Sequence, residues 1–91
     1  MLESTLEKRF VARCHQRGLL TFKFNSAARR GVPDRIILGK GKTMFLEFKK
    51  KGERPTKLQQ FYLQLIRDEG MVAEWVDTYE KADAILKRTF G

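Results

Sequence analysis

Apolar side chains recur along this chain with two periods. Leu2, Leu6, Phe10 and Cys14 return every four residues and Val11 widens the stripe, which predicts an amphipathic helix over residues 2–17 that ends at Gly18. Leu19 to Phe24 reads as a strand, and residues 25–32 form a polar, small-residue loop leading to Pro33. Arg35-Ile36-Ile37-Leu38, then Gly39-Lys40-Gly41-Lys42, then Thr43-Met44-Phe45-Leu46 reads as strand, glycine turn, strand, giving a hairpin over about 34–49. After a basic loop, Thr56 is a good N-cap and Gln59 completes a capping box. Leu58, Phe61, Tyr62, Leu65 and Ile66 then follow an amphipathic-helix spacing that Gly70 stops. Met71 to Val76 is an apolar strand, Asp77 and Thr78 offer another N-cap, and Ala82, Ile85 and Leu86 mark the buried face of a last helix. The predicted order is α-β-β-β-α-β-α, an α/β fold in which the Phe45–Lys49 strand is central and covered on both faces. Phe10, Phe22, Phe45, Phe61 and Tyr62 fall on the apolar phases and are expected in the core, not as base-stacking platforms.

The hairpin carries a chemical consequence. With Lys40-Gly41 at the centre of the turn, Leu38 pairs with Thr43, Ile36 with Phe45, and Asp34 with Glu47. Directly opposed residues have Cβ atoms about 4.5–5.5 Å apart on one face of the sheet. Asp34 alone could be a turn-initiating residue after proline, and Glu47 alone a partner for a neighbouring lysine. Together they are two carboxylates in and beside an apolar strand, an arrangement that is costly without a counter-charge. Lys49 projects from the same face as Glu47. Hard divalent cations such as Mg²⁺ take one or two carboxylates and fill the other positions with water and substrate phosphate. Asp34 and Glu47 meet that minimum, and the Phe48 backbone carbonyl would add a third protein oxygen. Such a metal activates water and stabilises charge on a phosphate under attack. Lys49 would either hold the attacking water or neutralise the transition state.

Charge narrows the partner. The 91 residues form one expected domain, 1–91, with 19 Lys and Arg against 11 Asp and Glu, a net charge of +8 and a pI near 10.0. That imbalance points first to nucleic acid and second to an anionic membrane surface. Ser26, Arg29 and Arg30 lie just before Pro33-Asp34, where phosphate contact is expected, and Lys50, Lys51, Arg54 and Lys57 would extend the same surface. A single cysteine and a single histidine exclude a disulfide within the chain, a cysteine zinc site and Ser–His catalysis. Cys14 is read as core and His15 as surface. No apolar run reaches transmembrane length and no signal-peptide core is present, so a cytoplasmic protein is expected.

Pro33-Asp34, a spacer, and Glu47-Phe48-Lys49 resemble the PD-(D/E)xK nuclease signature. Gly31-Val32-Pro33-Asp34, Phe45-Leu46-Glu47-Phe48-Lys49, Pro55-Thr56-Lys57-Leu58-Gln59 with Gly70, and the opening Glu3-Ser4-Thr5-Leu6-Glu7 together resemble the VRR-NUC branch of that superfamily. The likeness covers nearly the whole chain, in the stand-alone minimal form of phage and bacterial members. It implies a restriction-endonuclease-like core, a central mixed sheet flanked by helices. It implies Asp34 and Glu47 as ligands of Mg²⁺ or Mn²⁺, Lys49 as catalytic and Gln59 as an auxiliary site residue, although the capping box alone would also explain Gln59. Glu3 matches a first-helix glutamate that supports the metal, directly or through water, with Glu7 one turn along as the alternative. The resemblance further implies a homodimer that cuts branched DNA such as four-way junctions; the first helix and the edge strand near Phe22 are the candidate dimer surfaces. Three other readings stand beside it: a sequence-specific or flap-cutting nuclease, a nuclease module for a helicase partner, and a nucleic-acid-binding module without catalysis.

Overall fold

The computed structural model describes residues 2–24 and 29–91. Helix α1 spans Glu3–Gln16, strands β1, β2 and β3 span Leu20–Lys23, Arg35–Gly39 and Lys42–Phe48, helix α2 spans Lys57–Asp68, strand β4 Val72–Val76 and helix α3 Tyr79–Phe90. The order is the α-β-β-β-α-β-α expected from the sequence. One four-stranded sheet runs β1-β2-β3-β4, antiparallel through β1, β2 and β3 and parallel between β3 and β4. The parallel pair requires a crossover, and α2 supplies it.

The hairpin register follows from its turn. Lys40 and Gly41 both have positive φ, 50° and 73°, the backbone that a two-residue hairpin loop demands. That turn sets Gly39 opposite Lys42, Leu38 opposite Thr43 and Ile36 opposite Phe45. Lys40 also donates its ammonium to the Phe90 carbonyl, tying the turn to the end of α3.

Parity along β3 divides the molecule into two faces. Met44, Leu46 and Phe48 enter a buried cluster with Leu6, Phe10 and Cys14 of α1 and Ala82, Leu86 and Phe90 of α3. Phe45 points the other way, to Leu63 of α2 and Ala73 of β4. All five residues from Met44 to Phe48 are buried, so β3 is central and covered on both sides, as its composition predicts. Cys14 is buried and His15 exposed, as expected.

Three expectations about the core require correction. Phe22 and Phe61 are each 54% exposed, and Leu2 is 64% exposed. Leu2 is the N-cap of α1 and lies beyond the helix's packed stripe of Leu6, Phe10 and Cys14. On α2 the fully buried residue is Leu63, with Ile66 packed beside it, while Leu58, Phe61 and Leu65 form a second, uncovered stripe. The cause lies in the sheet. Phe22 pairs with Ile36 and so shares the α2 face of the sheet, but α2 packs mainly against β4 and reaches β3 at Phe45. Among the described residues, Ile36 is packed against the α2 cluster but Phe22 is left exposed.

Candidate active site

The carboxylates come together at the end of the hairpin away from its turn. Asp34 sits one residue before β2, after the fully buried Pro33. Its backbone carbonyl accepts from Phe24 N–H at 2.7 Å, and its Oδ2 accepts from Phe48 N–H at 2.8 Å. The residue whose carbonyl was expected to join a metal shell is thus fastened to the first carboxylate. Glu47 is only 3% exposed. Its Oε2 accepts from Gln59 Nε2 at 2.8 Å, whereas its Oε1 is buried and meets no donor.

Burial, followed by the charge of Asp34, pushes the Glu47 carboxyl up to about 8, although Lys49 opposes this. Burial also raises Asp34, against the pull of the Phe48 amide. Burial and mutual repulsion thus both favour a protonated pair over two adjacent charges in the absence of a cation. An unpartnered, buried carboxylate oxygen beside a second carboxylate fits a hard divalent ion, which supplies the charge that the protein withholds.

Lys49 emerges one residue past β3. Its backbone N–H donates to Val76 O at 2.8 Å and its ammonium to Gln59 Oε1 at 3.1 Å. The capping box does not exclude contact with the carboxylate pair: one Gln59 side chain makes the cap and also bonds Glu47 and Lys49. Arg29, Arg30, Gly31, Val32, Asp34, Glu47 and Gln59 line a cleft of about 230 Å³, so the arginines expected at phosphate face the carboxylate pair. Ser26 lies outside the described residues. Lys50, Lys51, Arg54 and Lys57 are solvent-exposed, and Lys50 lines a hollow with Glu3 and Glu7.

The two helix α1 glutamates have different surroundings. Glu7 Oε2 is held at 2.7 Å by Arg35, the residue following Asp34. Glu3 is exposed, and its carboxyl is raised by partial burial first and by Asp34 second, with Lys49 opposing. Glu3 thus senses the site electrostatically. Among the described residues no three His, Cys, Asp or Glu side chains are grouped closely enough to hold an ion, so Asp34 and Glu47 stand as a pair.

Two supporting residues were invisible in the sequence because their partners are distant along it. Arg35 neutralises Glu7 across 28 positions. Asp77 accepts from Gly52 N–H at 3.2 Å and from Lys81 at 2.9 Å, fastening the basic loop to the start of α3. The Lys81 bond, followed by that of Gly52, holds the Asp77 carboxyl below its usual range. A larger hollow of about 550 Å³ lies near the hairpin turn between Lys42, Met71 and Thr89, with no acidic residue in its lining.

No family model matches the chain. A solved VRR_NUC domain shares its fold with a TM-score of 0.85, over 93% of this chain and 94% of that chain at 24% identity. Putative nuclease p44 of Acyrthosiphon pisum secondary endosymbiont phage 1 is 45% identical over 58 residues, which are 63% of this chain and 62% of that protein. The restriction-endonuclease-like fold expected from the motifs is therefore the observed one. Among the described residues, no helix is long and apolar enough to cross a membrane.

Proposed function

We propose that this chain is a VRR-NUC nuclease, a Mg²⁺- or Mn²⁺-dependent endodeoxyribonuclease acting on branched DNA as a homodimer in the cytoplasm of a bacterial or phage-infected cell. The observation that carries the reading is the buried Glu47 set against Asp34, with one oxygen lacking a donor and its carboxyl pushed up to about 8. A site that only bound phosphate would gain nothing from that pair. The nuclease name of the phage relative and the VRR_NUC fold agree with it.

Asp34 Oδ, Glu47 Oε1 and the Phe48 carbonyl would hold the cation. When bound, the ion supplies an activated water and neutralises charge on the scissile phosphate. Arg29 and Arg30 place the phosphate against the carboxylates by charge and hydrogen bonding. The Lys49 ammonium, held by Gln59, faces the same site and supports charge developing on the phosphate oxygens. Lys50, Lys51, Arg54 and Lys57 extend the positive surface along the flanking backbone.

The dimer reading is supported by the edge strand. β1 is one of the sheet's two edge strands, and Leu20 and Phe22 on it, with Phe24 just beyond it, are exposed apolar residues. An apolar edge left bare invites pairing, and a second copy would cover it while setting two sites on one substrate. The exposed side of α1 is mostly polar, which favours β1 over α1 as the contact. The test is cleavage of a four-way junction and a matched linear duplex in Mg²⁺, Mn²⁺ and EDTA. Paired nicks near the branch in metal only, absent in Lys49→Ala, support the reading; equal cutting of both substrates removes the branched-DNA part, and cleavage in EDTA removes the mechanism.

A further inference from the structure

Gln59 belongs to two structures at once. As the third residue of α2 it donates its N–H to Thr56 Oγ1 at 3.1 Å, and its Oε1 accepts from Thr56 N–H at 2.9 Å. The same Oε1 accepts from Lys49 Nζ at 3.1 Å, and Nε2 donates to Glu47 Oε2 at 2.8 Å. A carboxamide oxygen has two lone pairs, and both are taken. Rotating the amide by half a turn would set its NH₂ against two donors, the Thr56 N–H and the Lys49 ammonium, and its oxygen against a carboxyl. The start of the helix therefore determines which end of the amide faces Glu47.

A capping box accepts Glu or Gln at this position, so the helix by itself does not choose between them. Glu47 does choose. A glutamate at 59 would keep both bonds to Thr56 and the bond to Lys49, but would set a third carboxylate beside Asp34 and Glu47 in place of a donor. Only glutamine serves the cap and the site together.

We propose that Thr56 is a positioning residue of the active site, whose capping box sets the Gln59 carboxamide and, through it, the Glu47 carboxyl and the Lys49 ammonium. This rests on the nuclease reading for its consequence in catalysis, though not for its geometry. Thr56 does not line the carboxylate cleft; it acts through Gln59.

The test combines kcat and KM on a four-way junction, thermal melting, and the side-chain NH₂ resonances of Gln59 by NMR, for Thr56→Ser, Thr56→Ala, Thr56→Pro and Gln59→Glu. Thr56→Ser retains both bonds and behaves as wild type. Thr56→Ala loses only the hydroxyl and is expected to lower kcat about tenfold with KM unchanged. Thr56→Pro also loses the N–H, at a φ of −66° that proline itself adopts, so a further drop in kcat isolates the bond that orients the amide. In that variant the Gln59 NH₂ signals shift and lose protection from solvent exchange. Gln59→Glu keeps the helix cap but loses the donor to Glu47, and is expected to lose about 10- to 100-fold in kcat. Unmoved Gln59 signals in Thr56→Pro, or wild-type cleavage by Gln59→Glu, would overturn the proposal. If the wild-type protein cleaves nothing, the nuclease reading falls alone, and the NMR signals still decide the positioning.

Discussion

The two faces of the sheet are built from alternate residues of the same strand and serve opposite ends. On one face, Met44, Leu46 and Phe48 are sealed under α1 and α3 among residues almost wholly removed from water. On the other, Phe45 meets α2, but Glu47 lines a charged cleft, Lys49 reaches Gln59 at its wall, and the sheet beyond Phe45 is exposed at Phe22. The sealed face supplies the stability that lets the open one hold a buried carboxyl with an unpartnered oxygen. A one-residue slip of β3 would exchange these roles entirely, which makes the Lys40-Gly41 turn as consequential for the site as any residue in it.

The sharpest way to break this division is to substitute adjacent residues of β3. Phe48→Ala empties a sealed position that stacks edge-on against Phe10 at 5.3 Å, and should cost about 3–5 kcal/mol in denaturant unfolding. Glu47→Gln, its neighbour, should leave metal-free stability equal or higher at neutral pH while removing the paired-carboxylate site. Comparable losses from both substitutions would contradict the division.

The pH dependence follows from the same comparison. Glu47 is raised from an ordinary 4.5 to about 8, so the folded metal-free state holds a proton that the unfolded chain releases earlier. Its contribution to stability is fully present below about pH 4.5 and is lost as pH rises through about 8. Melting of the metal-free protein should therefore show a decline across that window which Glu47→Gln flattens. A decline of equal size in the variant would assign it to another group.

The proposed dimer is tested at the exposed aromatics: Phe22→Glu on β1 and Phe61→Glu on α2 should yield monomers in sedimentation equilibrium where the wild type is dimeric, with unfolding free energy of the monomer altered by only about 0.5 kcal/mol. Retention of the dimer by both variants would place the contact elsewhere. The smallest effects belong to the exposed cations. Arg54→Ala and Lys57→Ala should each weaken DNA binding modestly and reduce the slope of log affinity against log salt by about one. An unchanged slope would remove that residue from the interface.

Much of this arrangement was legible in the sequence because it depends on short-range rules. The turn at Lys40-Gly41 fixed the pairing of Ile36 with Phe45, and Asp34 and Glu47 then converged at the hairpin's open end. Thr56 and Gln59 announced the start of α2 by spacing alone. Periodicity does not show whether an apolar stripe has anything to cover it, and Phe22 and Phe61, expected in the core, lie outside both buried clusters. It also could not reveal the Arg35–Glu7 pair or the Asp77–Gly52 bond, which join segments 28 and 25 residues apart by tertiary packing alone. Nor did it show that the capping glutamine and the site glutamine are satisfied by one amide orientation.

The central claim is that Asp34 and Glu47 form a divalent-metal centre. Mn²⁺ titration by calorimetry at pH 7, in buffers of different ionisation enthalpy, tests it most directly. Binding should release a proton from the carboxyl pair and should be abolished by Glu47→Ala. Equal Mn²⁺ affinity in wild type and Glu47→Ala, or binding without proton release, would contradict it.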